Sequence, residues 1–155
     1  YGVYGQATGG ALNYGVYCVG NGAYTGSWTG PSDERFKKNI QLYSGALKKI
    51  LLLQPKTYDY KTDEFAFMQF SNGTQIGLIA QEVEKVFPEL VEEMVNPGPM
   101  DPKTGRNSGE SIKYKGMNYI GLTPVLVQAI KEQQAQIDEL KKTIEELKAA
   151  MNKKN

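Results

Sequence analysis

The sequence contains no histidine. That excludes Ser-His-Asp and Cys-His catalysis, the usual zinc ligand sets and the side chain that ordinarily titrates near neutral pH. Any nucleophilic chemistry must use another base, such as a lysine or a carboxylate. Cysteine occurs once, as Cys18, so no intrachain disulfide can form and an idle or buried thiol is expected. No apolar run reaches the roughly 18 residues of a membrane span, so membrane insertion is not expected. Lys and Arg number 18 against 17 Asp and Glu, a net charge of +1 that gives no general pull toward nucleic acid. No Gly-Lys-Ser/Thr loop is present to cradle a phosphate, and the acids Glu82, Glu84, Glu89, Glu92 and Glu93 have no metal-site spacing. They read as a solvated face, and neither a cofactor nor a metal is expected. The chain starts without Met or a signal peptide, so it reads as a piece of something longer.

What is present divides into unlike regions. Residues 1–31 are rich in Gly and Tyr and nearly free of charge. Tyr1-Gly2-Val3-Tyr4-Gly5 recurs as Tyr14-Gly15-Val16-Tyr17-Cys18, thirteen residues on. Tyr and Val alternating between glycines suit short strands joined by turns. The segment is expected to be the β-rich end of an upstream repeat structure, which needs earlier repeats or partner chains to close its edges.

Residues 32–115 form a mixed body with short helices and strands. Ser44 to Leu53 reads as a helix capped by Ser44 and stopped by Pro55. Lys56 to Lys61 alternates as a half-buried strand. Asn72-Gly73 predicts a tight hairpin turn between the apolar run Phe65 to Phe70 and a strand at Gln75 to Ile79. Val83, Val86 and Phe87 make one helical face ahead of Pro88. Asn96 to Gly109 is a polar Pro/Gly-rich loop, and Ser111 to Lys115 a returning strand.

Residues 116–155 read as a long helix. Ile130, Ile137 and Ile144 fall seven apart, with Gln133, Leu140 and Leu147 three residues after each. That is a heptad with Ile at a and mostly Leu at d, which predicts a coiled coil with identical chains in preference to packing on the body. Asp138 and Lys142 make an i,i+4 pair in the favourable order. Ile at a with Leu at d favours two strands, while Lys141 and Lys148 at the flanking positions lack acidic counterparts to decide the number.

At the border of the first two regions stands Ser32-Asp33-Glu34-Arg35-Phe36-Lys37-Lys38-Asn39-Ile40. On local pattern it is a turn and a helix start, with Ser or Asp as cap. Helical geometry does not place residues five apart on one face, so spacing alone does not pair Ser32 with Lys37.

The pattern Ser32-Asp33-x-Arg35-x-Lys37-x-x-Ile40 resembles the start of the intramolecular chaperone domain that ends phage endosialidases and other tail spikes, peptidase family S74. Ile76 to Val91 resembles the strand-to-helix block of the same family, and the resemblance spans roughly residues 32 to 140. It implies an α+β body, a homotrimer rather than a dimer, and self-cleavage with Ser32 as nucleophile and Lys37 as base. Asp33 and Arg35 match the motif as supporting residues. A lysine is a base only if its pKa falls well below the free value of about 10.4, which burial or a nearby cation such as Arg35 or Lys38 would achieve. The bond cut is either Pro31-Ser32 or Ser32-Asp33. The implied partners are two further copies of the chain and the upstream fibre of the same chain, on a virion tail fibre or a bacterial surface. A trimeric foot that never cuts is the alternative.

Overall fold

The computed structural model describes residues 5–9, 14–101 and 103–153. Its architecture is α+β: two separate two-stranded antiparallel sheets, short helices and one long C-terminal helix. In chain order these are a 3₁₀ turn at Glu34–Phe36, α1 (Ala46–Ile50), β1 (Lys56–Tyr58), a 3₁₀ turn at Ala66–Met68, β2 (Gln75–Gly77), α2 (Ala80–Val83), a 3₁₀ turn at Pro88–Leu90, β3 (Val91–Asn96), β4 (Ile112–Met117) and α3 (Leu122–Asn152).

The core forms where the expected apolar helical face meets the start of α3. Val83 and Phe87 are 1% and 0% exposed, and Leu90 and Leu122 complete the buried cluster. Ile50, Leu78, Val86 and Val125 pack around it. Pro88 does more than end a helix. It opens the next 3₁₀ turn, where its missing N–H costs no hydrogen bond. That turn leads directly into β3, which pairs with β4 from Val91↔Met117 to Asn96↔Ile112. The returning strand is therefore present and runs on to Met117, so the long helix starts only at Leu122.

Several expectations are corrected. α1 is not capped by Ser44. Its N-cap position is taken by Gly45, at φ +72°, which has no side chain to cap with. The Glu132 carboxylate of α3 fills that role, accepting from the N–H groups of Ala46 at 3.2 Å and Leu47 at 2.9 Å. Nor is there a tight hairpin at Asn72-Gly73. β2 pairs with β1 instead, Lys56↔Gly77 to Tyr58↔Gln75, across the intervening residues 59–74. The apolar run between them turns into a 3₁₀ segment because its aromatic side chains find partners: Phe70 stacks on Tyr60 at 4.3 Å between ring centroids. Beyond Tyr58 the expected strand leaves the ladder at once. On α3, Asp138 approaches Lys141, at 3.9 Å, rather than Lys142. The first copy of the N-terminal repeat lies outside the described residues except for Gly5, and the described residues of the second belong to no named strand.

Glu82 pairs with Lys56 and Glu84 with Lys115, which pins α2 to both sheets. Tyr119, just before α3, accepts a hydrogen bond from the Leu78 N–H at 2.9 Å. Gly77 is required by this close approach, since a Cβ there would lie 2.8 Å from the Tyr119 hydroxyl. Among the described residues no helix is long and apolar enough to cross a membrane.

Two outcomes follow for the fold. Phe87→Ala empties the centre of the only buried cluster described and lowers unfolding free energy by about 3–5 kcal/mol, read from denaturant titration. The Glu132 carboxyl is held below its ordinary value of about 4.5, first by the Leu47 N–H, then by the Gln128 side chain and further α1 N–H groups. A depressed folded-state pKa gives stability that is present above the ordinary value and lost as pH falls through the depressed one. Glu132→Gln therefore removes part of the acid sensitivity of the thermal midpoint, with the wild-type and variant curves converging as the medium is acidified.

Candidate functional site at the Ser32 to Lys37 turn

Pro31 delivers an extended chain into Ser32, and the single 3₁₀ turn at Glu34–Phe36 follows. Asp33 is its N-cap, with φ −65° and ψ 136°, and its carboxylate accepts from the Arg35 N–H at 2.9 Å. An Asp cap satisfies a donor that the first turn of a helix leaves open. The turn closes through Phe36 N–H to Asp33 O at 3.1 Å and Lys37 N–H to Glu34 O at 2.9 Å. Lys37 then returns to extended backbone at φ −118°.

This geometry places the two residues together that helical spacing keeps apart. Lys37 Nζ donates to Ser32 Oγ at 2.9 Å. The contact depends on the turn being one 3₁₀ loop: a longer α-helix would carry Lys37 round to another face. It is the arrangement a serine nucleophile and a lysine base require, nucleophile and base within hydrogen-bond reach.

Arg35 clamps Asp33 from its other side. Its Nε and Nη2 donate to the two carboxylate oxygens at 3.0 and 2.8 Å. The guanidinium side chain first, and the Arg35 backbone N–H second, hold Asp33 below the usual carboxylate range. Arg35 is thus neutralised locally by Asp33. It fits a clamp on the turn better than the free cationic neighbour expected to act on Lys37. Fork-like pairs of this kind fix orientation as well as charge.

Every residue of the turn is exposed, and so are the apolar side chains on its flank: Phe36, Ile40 and Leu42. The heptad positions Ile130, Gln133, Ile137, Leu140, Ile144 and Leu147 are exposed as well. α3 uses a different stripe to pack on the body, namely Leu122, Val125 and Ala129, ending at the Glu132 cap. In the sequence only the heptad face stands out; the Leu122, Val125 and Ala129 stripe is short and repeats at the same helical spacing. The Glu132 cap had no sequence signal at all, since it lies at an outward heptad position.

No group of His, Cys, Asp or Glu among the described residues is arranged to hold a metal. Cys18 is an exposed thiol.

A family model described as Peptidase S74, chaperone of endosialidase, matches residues 32–92. The match begins at the serine of the turn. The chain is also 33% identical over 119 residues to the long tail fiber protein Gp37 of Salmonella phage S16, an alignment covering 76% of this chain. The chain spans 14% of the length of that relative.

Proposed function

Starting from the fact that the chain belongs, through residues 32–92, to the peptidase S74 family of endosialidase chaperones, we propose that it is the trimerising, self-cleaving C-terminal chaperone of a tail fibre. The observation that carries this reading is the Lys37–Ser32 contact at 2.9 Å, at the first matched residue of the family.

The Ser32 hydroxyl attacks a peptide carbonyl beside it. The new C–O bond forms an ester while the C–N bond breaks, and Lys37 takes the hydroxyl proton and passes it to the departing amine. Water then hydrolyses the ester, so the sum is one peptide bond and one water consumed. Lys37 must be a neutral amine for the first step, whereas an exposed lysine is an ammonium at neutral pH. Desolvation favours the neutral amine. The exposed Phe36, Ile40 and Leu42 beside the turn supply a surface that a neighbouring chain would cover, removing water from around Lys37. Cleavage is thereby made conditional on assembly.

Assembly itself is assigned to the heptad face of α3. An isolated helix with nothing to lean on is marginal in water. Three copies burying Ile130, Ile137, Leu140, Ile144 and Leu147 would give it a core. Joined helices hold the upstream segments of three chains close together, which raises the effective concentration of strands that must pair over long distances. The fibre on the virion is the partner and the place where this domain acts, in keeping with the tail-fibre relative.

The test is a denaturing gel beside sedimentation of the same sample. Ser32→Ala and Lys37→Ala each leave one full-size band while the sedimenting species stays trimeric; the wild type yields two bands. A single full-size band from the wild-type trimer assigns the domain instead as a permanent foot, and unchanged cleavage in both variants ends the dyad. Ile137→Asp with Ile144→Asp puts two charges into the proposed seam. It weakens association on the order of a hundredfold or more, and self-cleavage falls with it.

A further inference from the structure

A groove of about 720 Å³ lies on the face of the body formed by the β3–β4 sheet and residues 65–71. Its walls include Met68, Asn96 and Tyr114 from the body, and its far side is the upstream segment itself, at Tyr17 to Asn21. Two tyrosines of the upstream chain hydrogen-bond the body beside the groove. The Tyr14 hydroxyl accepts from the Val95 N–H at 3.2 Å. The Tyr17 hydroxyl accepts from Asn96 Nδ2 at 2.9 Å and lies 3.2 Å from the Tyr114 hydroxyl. The two rings pack against each other with centroids 5.4 Å apart.

Asn96 is the only buried polar residue described, at 2% exposure. Its Oδ1 accepts from the Gly98 N–H at 2.7 Å, and its amide nitrogen is directed at Tyr17 and at Met68 Sδ. A buried amide aimed at a hydroxyl from outside the body makes this a built seat rather than a chance contact. The seated unit is Tyr14-Gly15-Val16-Tyr17, the second copy of the repeat. It lies upstream of Ser32, so a cut beside Ser32 puts the two halves of this cluster on different products.

We propose that the body's surface at Val95, Asn96 and Tyr114, beside the groove, is a recognition seat for the Tyr-Gly-Val-Tyr end of the fibre, and that it keeps the two products joined after the peptide bond is gone. Release of the chaperone then requires withdrawal of Tyr14 and Tyr17, a step separate from cleavage. The consequence for release rests on the cleavage reading above; the seat does not.

The experiment therefore makes the cut externally. A recognition sequence for a site-specific protease is placed at Gly26, where the surroundings are open, in the full chain carrying Ser32→Ala. After digestion, the N-terminal piece is followed by native gel filtration. It stays with the body, and Tyr17→Phe speeds its departure on the order of tenfold, because Asn96 and Tyr114 lose their partner. Tyr14→Phe acts in the same direction, and Tyr24→Phe, outside the groove, changes nothing. Tyr17 and Tyr14 lie on the segment, so neither variant removes a side chain of the body's core. Immediate loss of the piece from the Tyr-intact chain, or equal retention with and without the Tyr17 hydroxyl, overturns the proposal. Both results are independent of whether Ser32 ever cuts.

Discussion

One constraint governs this chain: α3 is far longer than the part of it that packs on the body. Its 31 residues make a rod about 46 Å long, and only its first turns reach the core. Leu122 and Ala129 are buried, Glu132 caps α1, and every residue from Gln133 to Lys153 is exposed. The body is correspondingly small, with one cluster around Val83 and Phe87. A chain that leaves Ile137, Leu140, Ile144 and Leu147 in water has not used its largest source of burial. Association through α3 is what that imbalance calls for; the number three is proposed on the family resemblance alone. The division of α3 into two stripes lets one helix serve the body and a partner at once.

The candidate dyad rests on a second, local constraint. Ser32 and Lys37 meet because the chain between them makes a single 3₁₀ turn and then straightens. Asp33 caps that turn and Arg35 holds Asp33. The motif residues thus divide into a hydrogen-bonded pair, proposed to react, and a clamp that shapes the turn. Without the Asp33 cap, nothing local prefers the tight turn over a longer helix.

Much of this was legible in the sequence, for identifiable reasons. The buried Val83 and Phe87, the return strand before α3 and the unbroken helix beyond Pro124 were all carried by apolar periodicity or by proline, which are local signals. The family resemblance, placed on Ser32 to Ile40 and on Ile76 to Val91, agrees with the matched span 32–92. What was not legible depends on distant partners. Ser44 looked like a cap, but the cap is Glu132, 86 residues away from Ala46. Asn72-Gly73 looked like a hairpin, but β1 was the better partner for β2, and stacking of Phe70 on Tyr60 took the apolar run out of the ladder. The Ser32–Lys37 contact was hidden because its proof lies in a 3₁₀ turn, which has no strong sequence signature.

The absence of histidine gives these features a common logic. A histidine base is ready at neutral pH, so a Ser-His site would cut as soon as its turn formed. A lysine base is held off by water until something covers it. On the proposed reading, that cover comes with assembly, and the turn itself can form early without risk. The exposed site of the single chain is then the resting state such a device needs. On the same reading, Tyr14 and Tyr17 seated on the body add a further delay on the other side of the cut. The upstream segment, again on that reading, would be held through assembly, scission and closure in that order. A fibre released before its edges pair would be free to pair wrongly.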